Sequence, residues 1–362
     1  MHLLGHKPAV DLTLILRGIA ASGVVWWHVK GHSVEGWSFI NIPGRAWVWV
    51  FFTLSGYVIA HGFVSGRYRF NRQDLTQFYI NRLLRLMPIF WTVSLAALLV
   101  IFYKGQPSPI DWRDIPAQLM GFQWSHKYVL SGVFWTLGIE LQFYLVAPVL
   151  IFAIMALTEK NRYLVLPSIL VLYFALTAWP AAIYVFLGGS IDNRTVIGNL
   201  GHFIAGICFA ILVAPRMENR LSQRQIFLDI ILPTLVGLSS IGAAGWLYHE
   251  RPIVFWSGFG AIVVNLATLM LLKIHVVVER KNVRAGFLTS LGLALGTLSY
   301  GMYAWHDFVM RVFDDDFAIN LPTVFSFSLI LAYLSWLSVE RASTALRRKI
   351  TPFKSSKEAI NF

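Results

Sequence analysis

Cysteine is almost missing from this chain. Its 362 residues hold one, Cys208, which excludes an internal disulfide and a cysteine-rich metal site. Cys208 lies in an apolar run and reads as a small packing residue. Charge is scarce as well: Asp, Glu, Lys and Arg together make 13% of the chain, about half of what a soluble domain carries. With 57% hydrophobic residues, a water-soluble globule is excluded. Acidic residues are the rarer sign, 18 against 30 basic ones, for a net charge of +12. That excess does not point to nucleic acid, because the basic residues fall in short clusters between long apolar runs, the pattern of cytoplasmic loops. A small-residue cleavage site after a short apolar core is also lacking, so the first run reads as an uncleaved helix. The sequence suggests no transit peptide or lipidation motif.

What the chain has in abundance is apolar stretches long enough to cross about 30 Å of hydrocarbon as helices. They fall at about 11–32, 45–65, 87–104, 132–157, 163–187, 197–213, 227–248, 253–275, 287–312 and 321–341. The connections alternate in charge. Lys7, Arg67, Arg69, Arg72, Arg82, Arg85, Lys160, Arg162, Arg216, Arg220, Arg224, Lys273, Arg280, Lys281 and Arg284 share one side with the tail from Arg341 to Lys357, while Asp192 and Asp314 to Asp316 mark the other. The expected fold is therefore all-α, a polytopic integral membrane helix bundle of about ten transmembrane helices with both termini cytoplasmic. The longest outer segment, Lys104 to Ser131, carries Pro107, Pro109, Trp112, Pro116 and Trp124. It reads equally as a cap over an external cleft or as an aromatic interface belt. No internal repeat stands out, which weighs against a secondary transporter.

Polar residues inside such spans are costly and call for a reason. "LRGIAASGVVWWH" carries Arg17 and His28 eleven residues apart, about 16 Å along a helix and nearly on one face. "FWTLGIELQFYLVAP" places Glu140 about two turns into the fourth span, with Gln142 and Tyr144 as polar neighbours. "LGTLSYGMYAWHDFV" puts His306 near the outer end of the ninth, with Tyr300 and Tyr303 below it. His28, Glu140 and His306 are thus expected in the outer half, as a reactive cluster or as a structural hydrogen-bond network between helices. On the inner side "NRLLRLMPIFW" sets Arg82 and Arg85 on one face at the mouth of the third span, after Arg67, Arg69 and Arg72. Paired guanidiniums there serve either as topology signals or as a clamp for phosphate. In "FFTLSGYVIA", Ser55 and Gly56 stand mid-span, where small residues let helices pack closely.

These stretches resemble, in order, the motifs of the membrane acyltransferase 3 family. They are a basic residue and a histidine with ten positions between them, "FFTLSGYVI", "NRLLRLMP", "FWTLGIELQFYLVAP", "LSYGMYAWHDFV" and the closing Glu-Arg of "LSVERAS". Ala342 stands where proline is common, and Gly138 is a less usual residue before the glutamate. The resemblance implies an acyltransferase 3 transmembrane domain over 1–345 and a cytoplasmic basic tail over 346–362, without an appended hydrolase-like domain. It implies an enzyme in the cytoplasmic (inner) membrane of a bacterium that modifies polysaccharide by O-acetylation. The donor would be cytoplasmic acyl-CoA, acetyl-CoA first among its forms, and the acceptor a hydroxyl of a cell-surface glycan or lipid-linked sugar at the outer face. Membrane lipids would surround it, and neither nucleic acid nor metal would take part.

On that reading His28, Glu140 and Arg17 are the catalytic residues. His28 is general base or transient acyl carrier, Glu140 or a tyrosine orients its imidazole, and Arg17 stands on the donor's path. Arg82, Arg85 and Arg72, with Ser55, Tyr300 and His306, would bind the donor. The alternative from another class is a transporter or flippase moving a polar or glycolipid solute past Arg17 and Glu140. A non-catalytic scaffold would leave the buried charges unexplained.

Overall fold

A computed structural model describes residues 8–30, 42–104, 114–121, 130–187, 194–214, 227–313 and 320–350, with the backbone alone at 30, 104, 161–170 and 178–187. Asp192, Asp314 to Asp316, Lys7, Arg216, Arg220, Arg224, Trp112, Trp124 and the tail beyond Ile350 lie outside the described residues. The protein is an all-α membrane protein. Among the described residues the single extended pairing is the bridge Ala9–Arg284, flanked by Val10 N donating to Val283 O and Ala285 N to Pro8 O, both at 2.9 Å.

The helices are α1 (Leu12–Lys30), α2 (Gly44–Val64), α3 (Arg72–Lys104), the short α4 (Asp114–Leu119) and α5 (Trp135–Leu187). They continue with α6 (Val196–Cys208), α7 (Leu232–Glu250), α8 (Gly260–Arg280), α9 (Phe287–Phe313), α10 (Leu321–Ser335) and α11 (Arg341–Ile350). Wider i→i+5 turns over Phe209–Val213, Phe227–Ile231, Phe255–Phe259 and Trp336–Glu340 extend or join several of them. Eight helical segments among the described residues are long and apolar enough to cross a membrane. α9 has the length but less apolarity, because Ser299, Tyr300, Tyr303, His306 and Asp307 interrupt it.

Local chemistry sets several starts. Asp11 Oδ1 accepts from the backbone N–H of Thr13 (2.9 Å) and Leu14 (3.2 Å), satisfying donors that the first turn of α1 leaves open. Asn71 Oδ1 accepts from Asp74 N at 2.9 Å, while Asp74 Oδ2 reaches back to Arg69 N at 3.0 Å, a reciprocal cap for α3. Asn320 caps α10 by accepting from Thr323 N at 2.9 Å, ahead of Pro322.

Two expectations change. Residues 158–162 were to form a loop between the fourth and fifth spans, yet α5 runs unbroken through Glu159, Lys160 and Arg162. Those are good helix formers with no glycine or proline among them, so nothing there ends the helix. α3 begins at Arg72, about four turns before the expected span. Its basic N-terminal part is therefore helix, and Arg82 stands in its third turn.

The chain divides into two compact units, with boundaries falling within α2, α5, α6 and α9. The first takes the chain up to His61, from Leu157 to Asn193 and from Ile197 to Ser299; the second takes Gly62–Ala156, Arg194–Val196 and everything from Tyr300 onward. In the first, Gly56 serves the close packing expected of it: a Cβ there would stand 2.1 Å from the carbonyl oxygen of Phe203 on α6. An aromatic core of Trp49 and Phe255 joins α2 to the segment before α8. In the second, Phe63, Tyr68, Phe70 and Phe78 stack around the start of α3.

Candidate functional site

The second unit assembles a polar cluster from α3, α5, α9 and α10–α11. α9 lies antiparallel to the start of α5. Tyr303 Oη donates to Val133 O at 3.0 Å and stands 2.8 Å from Thr136 Oγ1. One turn further along α9, Asp307 Oδ2 accepts from Ser131 Oγ (2.9 Å), Gly132 N (3.0 Å) and Arg311 Nε (3.0 Å). One turn before Tyr303, Tyr300 comes within electrostatic range of Glu140, Tyr144, Arg85 and Glu340, and its hydroxyl donates to Leu86 O on α3 at 2.7 Å.

α3 is antiparallel to α5 as well. Tyr79 Oη donates to Leu145 O at 3.2 Å. The Arg82 guanidinium sits over two rings, 5.4 Å from the centre of Phe78 and 5.6 Å from that of Tyr144, in cation–π range. The Tyr144 hydroxyl in turn donates to Glu140 Oε1. A chain of contacts thus runs from Glu140 through Tyr144 to Arg82, with Arg85 also acting on Tyr144. Arg82 is 8% exposed, and its Nε has no hydrogen-bond partner.

This differs from the arrangement read from the sequence, which set Glu140 at the depth of His306 and apart from the arginines. Six residues of α9, about 9 Å, separate Tyr300 from His306, and Glu140 keeps company with Tyr300. The contacts between α3 and α5 set Arg82 over the ring of Tyr144, a register that neither span encodes alone. Arg72 stands exposed on the first turn of α3, about 15 Å along the axis from Arg82.

Gly138, unusual by the family pattern, also has a local reason. A Cβ at that position would lie 2.7 Å from the carbonyl oxygen of Gly121, so the turn after α4 approaches α5 only where no side chain intervenes.

Sequence reasoning gave no role to the closing segment of this unit. Pro88 lies inside α3 and has no N–H to give the carbonyl four residues back, that of Leu84. The Ser343 hydroxyl on α11 donates to that oxygen. Just before it, Glu340 is subject to the charges of Arg85 and Arg347, and its Oε1 is buried without a hydrogen-bond partner. Arg347 in turn is within range of Arg82, Arg85, Arg67 and the Tyr68 ring. The signal that could have found Arg347 is its spacing from Ser343 and Glu340, four and seven residues, which puts all three on one helical face.

His306 is fully buried, with Nδ1 2.6 Å from Tyr303 O. A carbonyl only accepts, so Nδ1 carries a proton and donates to it.

Arg17, His28 and Ser55 belong to the first unit. Arg17 is half-buried and His28 exposed on the continuous helix α1, three turns apart. His28 Nδ1 stands 2.9 Å from Val24 O, so here too Nδ1 donates to a helix carbonyl. Val24, on the preceding turn of α1, thereby holds the ring from its Nδ1 side. Ser55 is buried, 6% exposed, in the middle of α2.

This unit also holds a network that sequence reasoning passed over. Asn265 Oδ1 receives Thr53 Oγ1 and His202 Nδ1, each at 2.9 Å, and Asn265 Nδ2 donates to Tyr173 Oη at 2.7 Å. The Trp49 ring stacks on His202 at 5.1 Å. An asparagine and a histidine within apolar runs were its sequence signal.

The profile of the acyltransferase domain family known as acyltransferase 3 matches residues 12–341. The O-acetyltransferase OatA of Staphylococcus aureus is 22% identical over 356 aligned positions, which cover 92% of this chain and 56% of that protein. The peptidoglycan O-acetyltransferase OatA of Listeria monocytogenes is 23% identical over 391 positions, covering 99% of this chain and 58% of that one. The chain spans little more than half the length of these curated relatives. No solved structure matches it significantly.

Proposed function

The chain belongs to the acyltransferase 3 family, and on that premise we propose that it is a membrane O-acyltransferase. It moves an acetyl group from acyl-CoA, presented at the cytoplasmic face, to a hydroxyl of a glycan at the outer face of a bacterial inner membrane. The relatives named as O-acetyltransferases, one of them for peptidoglycan, support the acetyl group and the glycan class. The excess of basic over acidic residues in the connecting segments supports a cytoplasmic face at those connections.

The observation that carries the donor side is the Arg82 guanidinium, buried over two rings with a free Nε. A buried cation with an unused donor is held ready for an anion, and guanidiniums grip phosphate bidentately. Arg82 and Arg85 take the donor's phosphates. Tyr300 and the Glu140–Tyr144 pair keep the arginines in place, with Ser55 and His306 on the donor's path. Arg17 accompanies the acyl end.

His28 Nε2 accepts the proton of the acceptor hydroxyl as its oxygen attacks the thioester carbonyl. The carbon–sulfur bond then breaks, and the CoA thiolate leaves and takes up a proton. One acyl group and one proton change hands, and nothing is oxidised or reduced.

The test is a proteoliposome loaded with a defined glycan, with acetyl-CoA labelled in its acetyl group added on the side of α11. Label should appear in the glycan in step with free CoA thiol. Movement of a glycolipid across the bilayer without thiol release would favour the flippase reading and overturn this one.

A further inference from the structure

The basic helix after the last span reads, from sequence, as a tail carrying inside-facing charge. The structure gives it a place in the second unit. Ser343 is bonded to the carbonyl that Pro88 orphans on α3, which docks α11 beside the arginine-bearing turns. From that docked helix Arg347 comes within electrostatic range of Arg82, Arg85 and Arg67. Four guanidiniums from three stretches of chain therefore share one region with two carboxylates, Glu140 and Glu340.

Arg82 is buried and Arg85 and Arg347 are half-buried, and like charges held together out of water repel unless something of opposite sign joins them. Glu340 supplies part of that charge, yet one of its oxygens is buried and without a partner. Arg82 keeps an unused Nε in the same region. A carboxylate with one unpartnered oxygen, in the region of a buried guanidinium with an unused Nε, occupies the place of a stronger anion.

We propose that Arg347 is a third phosphate-binding residue of the donor site, and that Glu340 is the internal counter-ion which the donor's phosphates displace. This rests on the reading of Arg82 and Arg85 as the phosphate clamp. It extends the site from α3 into the helix after the last span, and it identifies the ligand end concerned as the nucleotide phosphates rather than the acyl group.

The experiment measures CoA binding to the full chain in nanodiscs by calorimetry, with S-acetylpantetheine, which lacks the nucleotide phosphates, as a second probe. Arg347→Ala should weaken CoA about tenfold or more, the scale of a lost charge-assisted contact, and leave S-acetylpantetheine unchanged. Arg348→Ala, which removes an exposed charge from the same helix, should stay within about twofold. Glu340→Gln should tighten CoA several-fold, a gain that misfolding cannot produce.

If Arg347→Ala binds CoA normally while Arg82→Ala does not, the third contact is overturned and the clamp stands. If neither variant loses CoA, the clamp falls with it. An equal loss from Arg347→Ala and Arg348→Ala, or weakened binding by Glu340→Gln, also overturns the proposal.

Discussion

The hydroxyl of Ser343 donates to the carbonyl oxygen of Leu84, the one backbone acceptor of α3 that Pro88 cannot serve. Two motifs about 250 residues apart in sequence, Arg-x-x-Arg-x-x-Pro and Glu-Arg-x-Ser, are thereby joined by one vacancy and its filling. The proline disrupts α3 only mildly because its cost is met from another helix.

Removing either side of that relationship should reveal the coupling. Ser343→Ala leaves a buried carbonyl without its side-chain partner and should cost about 1–3 kcal/mol. In a Pro88→Ala background the restored N–H at position 88 serves Leu84, so the same Ser343→Ala change should cost much less. Unfolding of the four forms in detergent, read as a double-mutant cycle, checks this. Additive losses would mean that the hydroxyl does not stand in for the missing amide.

Tyr144 has two partners that can be separated. Tyr144→Phe keeps the ring under Arg82 but gives up the hydroxyl bond to Glu140; Tyr144→Leu loses both. If the hydroxyl only orients Glu140, Tyr144→Phe should slow transfer about tenfold and leave CoA affinity within about twofold, while Tyr144→Leu should also weaken CoA, by the ~1–2 kcal/mol of a desolvated cation–π contact. Equal effects of the two substitutions on CoA binding would remove the ring from the clamp.

How much of this was legible beforehand depended on whether one helix carried the signal. Helix existence followed from apolar runs, and Arg17 and His28 share a face of α1 as their spacing requires. Gly56 was read correctly as a packing residue. Relations between helices were not legible, because register is set by contacts that no single span encodes. The pairing of α3 with α5 sets Arg82 over the Tyr144 ring, and Glu140 comes within range of Tyr300, six residues of α9 before His306. Arg347 was hidden among Arg348 and Lys349, where charge alone reads as a topology signal. The unbroken α5 was missed because charged residues were taken to end a span, although charge does not break a helix.

Topology offers a direct check on the sidedness of the proposed reaction. With Cys208 replaced by Ala, a cysteine at Glu250, in the exposed turn after α7, should be labelled in intact cells by an impermeant thiol reagent. One at Lys281, exposed after α8, should be labelled only once the membrane is opened. The reverse pattern would place the arginine cluster on the outer side and exclude a cytoplasmic donor.

The last prediction concerns His28. Its Nδ1 is engaged by the carbonyl of Val24, so any basic chemistry must run through Nε2. A general base contributes about 10²–10⁴-fold, and His28→Ala should lose turnover on that scale while CoA, bound by the arginines, is held as before. His28→Gln sets an amide near the position of Nε2 but offers no useful basicity, so it should be almost as slow. His28→Asn sets its amide nearer Nδ1, where it can still meet the carbonyl of Val24, and should be slow as well. Activity that followed the hydrogen bond rather than the basicity, with His28→Gln or His28→Asn transferring near the wild-type rate, would show that the imidazole positions the acceptor and that the proton goes elsewhere. Acetyl transfer by the purified variants, scored beside CoA binding on the same samples, separates the two outcomes.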